Sequence, residues 1–74
     1  MARDRLLKAL LRERFVVTMV SGEAFDGLLD HYDESHIELV DASAHLKDGP
    51  VRVDGRLYLP RAQVAYMQRP EAAS

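Results

Sequence analysis

Val17-Thr18-Met19-Val20-Ser21-Gly22-Glu23-Ala24-Phe25-Asp26-Gly27-Leu28-Leu29-Asp30-His31-Tyr32-Asp33 reads as two short strands joined by a tight turn. Phe15 to Val20 is β-branched and apolar, as a buried strand requires. Ser21-Gly22-Glu23 is the turn, with Gly22 free to take positive φ. From Ala24 to Tyr32 the pattern alternates: Phe25, Gly27, Leu29 and His31 fall on one face, Asp26 and Asp30 on the other. A glycine inside such a strand marks a sharp bend or a close approach of another backbone. Asp33-Glu34-Ser35 is a second turn.

Outward from this stretch the chain reads as one domain, residues 1–74. Residues 4–14 predict a short helix, with Leu6, Leu7, Leu10 and Leu11 as one apolar stripe and Asp4 as its cap. A helix this short is marginal in water, so its stripe must pack on something. Ile37 and Leu39 alternate with His36 and Glu38 in the next strand. Asp41 to Asp54 reads as a longer connection, and Asp54-Gly55 as a tight turn pairing residues 51–53 with 56–58. Leu57-Tyr58-Leu59 is a strand ended by Pro60, which has no N–H for a ladder. Residues 64–68 form the last strand, and 69–74 a loose tail. The expected fold is mainly β: a short N-terminal helix, then a strongly bent five-stranded antiparallel sheet over residues 15–68, curled as an open barrel.

Composition narrows the function classes. The chain has 74 residues and no cysteine, so disulfides, thiolate metal sites and cysteine nucleophiles are excluded. Ten Lys+Arg against twelve Asp+Glu give a net charge of -2, so any binding of a polyanion must be local. Arg3, Arg5, Lys8 and Arg12 make a basic patch near the N-terminus, while residues 22–48 are strongly acidic. No apolar run approaches the roughly 20 residues that span a bilayer, and no signal-peptide pattern follows Met1, so the expected location is cytoplasmic. His31, His36 and His45 lack metal-ligand spacing, and no nucleophile–base pair or phosphate loop stands out. The expectation is no enzyme, no metal, no cofactor, no small-molecule substrate and no membrane partner.

A small open sheet has two edges with unpaired N–H and C=O groups. Leu57 to Leu59 and Val64 to Gln68 carry no charge to protect such edges. Pairing between identical copies satisfies them, and head-to-tail pairing with a fixed rotation closes a ring.

The stretch 17–33 resembles the first motif of the Sm and Sm-like (LSm) family, which includes the bacterial host factor Hfq. It keeps Gly22, Phe25, Gly27, Leu29 and Asp33 at the family's spacing. Leu57-Tyr58-Leu59-Pro60-Arg61-Ala62-Gln63-Val64-Ala65-Tyr66-Met67 resembles the second motif, with the arginine displaced by one position and its following glycine replaced by Ala62. The resemblance covers residues 5–69. It implies rings of about six or seven copies, joined through the last two strands, that bind single-stranded RNA around a pore. It places RNA contacts at Tyr32, Asp33, His36 and Arg61, and a subunit interface at Leu57, Leu59, Val64, Tyr66 and Met67. Where the family carries Asn in the first loop, this chain offers either His36 or Ile37, depending on loop length. His36 could stack on a base or hydrogen-bond its edge, and Arg61 could bind phosphate or stack. Asp33 suits a loop-holding role through the backbone. The basic patch Arg3, Arg5, Lys8 and Arg12 would repeat on one ring face. The expected function is an RNA chaperone or RNA–protein scaffold; the alternative is a structural or protein-interaction ring that binds little or no RNA.

Overall fold

The computed structural model describes residues 2–70, with side chains from residue 5 onward. A helix, α1 (Ala2–Ala9), precedes strands β1 (Arg14–Met19), β2 (Ala24–Tyr32), β3 (His36–Leu46), β4 (Gly49–Val53) and β5 (Leu57–Pro60). A single 3-10 turn (Arg61–Gln63) then leads into β6 (Val64–Gln68). All strand pairings are antiparallel. The sheet runs β4-β3-β2-β1-β6, and β5 pairs with the other half of β3. This is the helix-plus-bent-sheet architecture expected from the sequence. β4 and β5 are two halves of one interrupted strand along β3.

Leu7, Phe15, Val17, Met19, Leu29, Ile37, Leu39, Ala42 and Leu59 form the buried core. Alternation along β1 and β3 puts one face of each strand into it. Burying each of the larger side chains contributes about 1.5–3 kcal/mol.

The bend comes from mismatched registers. Gly27 alone faces both Asp41 and Ala42, because pairing steps from Asp26↔Ser43 to Leu28↔Val40. A Cβ on Gly27 would lie 3.0 Å from the Ala42 Cβ, 3.1 Å from the Leu39 Cβ and 3.1 Å from the Val40 carbonyl oxygen. Three residues further on, Asp30 is the extra residue between Leu29↔Leu39 and His31↔Glu38. Each such bulge kinks its strand and increases its twist.

These bulges account for the departures from simple alternation. Beyond Asp30 the faces exchange, so His31 is exposed and Tyr32 packs against the core. Asp54-Gly55 does not close a hairpin. Residues 54–56 oppose residues 40–41 of β3, and Gly55 takes φ +83° as the chain steps from one half of the strand to the other. Much of the supposed connection 41–54 is strand, with Ala42 buried and Asp41 exposed beside it. The helix is also shorter than the expected 4–14. Arg12 adopts φ +71°, and its N–H bonds to the Leu29 carbonyl at 2.7 Å, so residues 10–12 form a turn after the helix that is tied to β2. Leu7 is buried and Leu10 and Leu11 are partly so, but Leu6 is 60% exposed.

The outer sheet surface carries two chains of charge. Arg52, Asp41, Arg14, Asp26 and His45 are linked in sequence by contacts of 2.6–2.8 Å. Arg56 reaches Asp30 at 2.6 Å and Glu38 at 3.4 Å, and Arg12 meets Asp30 at 3.2 Å. Exposed pairs of this kind add little individually. They tie the strands together across the bend.

Replacing Gly27 by alanine forces a methyl group against buried Leu39 and Ala42 and a backbone carbonyl. The expected cost is about 1–3 kcal/mol. Denaturant unfolding at fixed protein concentration reads it as a lower midpoint with unchanged slope.

Candidate nucleic-acid interface

The β2–β3 turn is built by one aspartate. The Asp33 carboxylate oxygen Oδ1 accepts hydrogen bonds from the backbone N–H groups of Ser35 and His36, both at 2.8 Å. The Asp33 N–H donates to the His36 carbonyl at 2.9 Å, closing the turn. These bonds favour the charged carboxylate and hold its pKa below the ordinary 3.8, with the His36 N–H the largest cause and the Ser35 N–H next.

Arg61 enters from the opposite end of the chain. Its backbone N–H donates to the Ser35 carbonyl at 2.8 Å, and its Nη1 donates to the Asp33 carbonyl at 2.5 Å. Pro60, just before it, pairs with His36. The turn and the segment leading into β6 are therefore bound to each other, 28 residues apart in sequence. The residues singled out in the sequence thus lie on one short stretch of surface. His36 is exposed at the first position of β3, whereas the neighbouring Ile37 is 1% exposed and belongs to the core. Of the two candidates for the loop position, His36 is the side chain presented to solvent.

Tyr32 sits beside this turn with its ring packed against the core; its exposed neighbour is His31. Ser35, read in the sequence simply as part of the turn, takes part through its backbone: its carbonyl accepts from Arg61 and its N–H donates to Asp33. On the basic patch, Arg5 and Lys8 are exposed on α1. The Arg3 side chain lies outside the described residues. Arg12 is not on the helix: its left-handed backbone carries it to the β1–β2 side, where Asp30 pairs with it. Among the expected interface residues, Leu59 is buried in the core, Leu57, Val64 and Met67 pack partly against it, and Tyr66 is 56% exposed. Among the described residues no group of His, Asp or Glu could hold a metal ion, and no helix is long and apolar enough to cross a membrane.

A short helix on a sharply bent antiparallel sheet, with its strand ends gathered at one turn, is the Sm-like fold, and this chain has it. The chain is similar to the SmAP1 heptamer of P. aerophilum, with a TM-score of 0.86, 14% identity and 97% of each chain covered. It is similar to the Pyrococcus abyssii Sm protein solved with a uridine heptamer, at a TM-score of 0.78, 21% identity, and 89% of this chain and 94% of that one covered. It is also similar to a chain of the NatC complex bound to CoA, at a TM-score of 0.76, 15% identity, and 88% and 84% covered. No protein-family model and no curated protein matches the sequence. The resemblance to the Sm-like family read from residues 17–33 and 57–67 agrees with these solved structures.

The turn predicts an acid response. A carboxylate with depressed pKa stabilises the fold above its ordinary value of 3.8 and loses that contribution as pH falls through the lower folded value. Asp30 and Asp41 are lowered in the same sense, chiefly by hydrogen bonds from Arg56 and Arg52 respectively. Melting temperature should therefore be level near neutrality and drop below about pH 4. Asp33→Asn should melt lower at neutral pH and show a shallower acid decline, measured by circular dichroism across pH.

Proposed function

We propose that this chain, residues 1–74, is the subunit of a closed ring of identical copies that binds single-stranded RNA at the Asp33–His36–Arg61 turn. The observation that carries this reading is the joining of that turn to Arg61 through the Asp33 and Ser35 carbonyls, with His36 exposed in the same turn. The strand edges support the ring. Among the described residues β6 pairs with β1 alone and β5 with β3 alone, so each has an unpaired side, and neither strand carries a charged side chain. Leu57, Val64, Tyr66 and Met67 lie on these strands, and Leu59 supplies core packing behind them. The likeness to heptameric Sm proteins adds weight to a ring of about six or seven copies.

Each part has a chemical task. His36 stacks on an unpaired base or hydrogen-bonds its edge. Arg61 donates one N–H to Asp33, and its planar guanidinium serves for phosphate contact or stacking. Asp33 shapes the loop and Tyr32 backs it from the core side. Arg5 and Lys8 repeat around one ring face and add a salt-sensitive attraction for the backbone. Glu34, exposed in the same turn, works against phosphate and limits affinity.

A second reading is a protein-interaction subunit with the same fold and no RNA. The likeness to a chain of the NatC complex and the net charge of -2 favour it.

Titration of short oligo-U and oligo-A at two salt concentrations separates the two. Oligo-U is the first ligand because a similar protein was solved with a uridine heptamer. His36→Ala should cost about 1–3 kcal/mol per stacked base, roughly five- to 150-fold in affinity, with His36→Phe restoring most of it. Arg61→Ala should weaken binding and reduce the salt dependence, by about 0.7 in logarithmic slope for each phosphate no longer neutralised. Failure of the unmodified protein to bind any single strand at low salt would leave the interaction-subunit reading.

A further inference from the structure

We infer that Asp54–Gly55 is a covalent modification site, where the main chain reroutes through the aspartate side chain to give isoaspartate. The inference goes beyond the RNA reading and does not rest on it. An aspartate followed by glycine is prone to this change, because glycine has no Cβ to shield its nitrogen and lets the backbone turn freely. The glycine nitrogen attacks the protonated side-chain carboxyl of the aspartate. The proton from that nitrogen and the carboxyl hydroxyl leave as water, and a succinimide ring closes. Water then opens the ring at either carbonyl. Opening at the side-chain carbonyl restores aspartate. Opening at the main-chain carbonyl leaves the chain running through Cβ and Cγ, with no net change in mass.

The chain has three Asp–Gly pairs, at 26–27, 48–49 and 54–55, and no asparagine. The fold treats the three differently. Asp26 is held by Arg14 at 2.8 Å and His45 at 2.7 Å, and Gly27 is buried in β2 opposite Phe15. Neither group can move toward the other without breaking these contacts. Asp48 is exposed in the β3–β4 turn, but Gly49 is fixed in β4 opposite Leu46. At Asp54–Gly55 both residues are exposed and both lie between strands. Among the described residues the Asp54 carboxylate has no hydrogen bond or ion pair, and the Gly55 N–H makes no backbone bond. Val53 pairs with Ala42 and Leu57 with Leu39, so residues 54–56 bulge out opposite residues 40–41. Backbone outside the ladder opens most easily. Arg56 is anchored by Asp30 and Glu38, which confines the freedom to the Asp–Gly pair itself. Rerouting there adds one backbone atom between β4 and β5, the strand that leads to Arg61. The product belongs to the substrate class of methyltransferases that esterify isoaspartyl carboxylates with S-adenosylmethionine.

Trypsin separates the three pairs, because Arg14, Lys47, Arg52 and Arg56 put each on its own peptide. The folded full chain is aged in neutral buffer at body temperature, and samples are mapped by liquid chromatography and mass spectrometry. A parallel sample is aged unfolded in guanidinium chloride. In the folded protein the peptide Val53–Arg56 should split into two peaks of equal mass, severalfold faster than the peptide carrying Asp48, while the peptide carrying Asp26 stays single. In the unfolded sample all three should convert at similar rates. An isoaspartyl methyltransferase supplied with labelled S-adenosylmethionine should mark the Val53–Arg56 peptide of the aged folded protein. Asp54→Glu keeps the charge but would need a six-membered ring, so that label should be lost while the circular dichroism spectrum is unchanged. Conversion at Asp26 or Asp48 matching that at Asp54 in the folded protein would overturn the inference. So would an Asp54 that stays intact while the unfolded sample converts.

Discussion

The absence of a side chain at Gly27 is the constraint on which the rest of this molecule depends. A backbone carbonyl and the Cβ atoms of Leu39 and Ala42 crowd the place where a Cβ would stand. With hydrogen there instead, β2 and β3 cross closely enough to curl, and Leu29, Leu39 and Ala42 meet at zero exposure. A chain of 74 residues has only a small core to stabilise it. Curling the sheet over itself gives Phe15, Val17 and Ile37 a common interior that a flat sheet of the same strands would lack. The same curl gathers the start of β3 and the end of β5 at the Asp33 turn, so the candidate RNA surface follows from the bend.

Much of this was legible in the sequence. Gly22 takes φ +96° in the β1–β2 turn, as a turn glycine should, and Gly27 stands where an interior strand glycine implies close approach. The alternation in β1 and at Ile37 and Leu39 maps directly onto burial. Three features were not legible, each for a physical reason. Arg12 ends the helix in the left-handed region although arginine carries no preference for it; a backbone bond to Leu29 holds it there. The bulge at Asp30 exchanges His31 for Tyr32 on the core side, and period-two reading assumes an unbroken register. Asp54-Gly55 has the composition of a hairpin turn, but both flanking segments find a longer partner in β3.

At the candidate site, residue types were readable and their connections were not. Asp33 suits a turn by its chemistry, and it holds one through Ser35 and His36. The family resemblance grouped Arg61 with Asp33, but no local pattern shows the bond between them across 28 positions; that link exists because β5 runs back along β3. Arg61, one position from where the family's motif has its arginine, is thus tied to the turn, and His36 rather than Ile37 is the side chain exposed there.

The central claim is that unpaired strand edges join identical copies into a ring that holds single-stranded RNA. Native mass spectrometry of the purified protein, before and after nuclease treatment, addresses both halves together. The account predicts one closed species of about six or seven copies carrying extra mass that nuclease removes. A spectrum with only single copies at every concentration, and no associated nucleic acid, would contradict it.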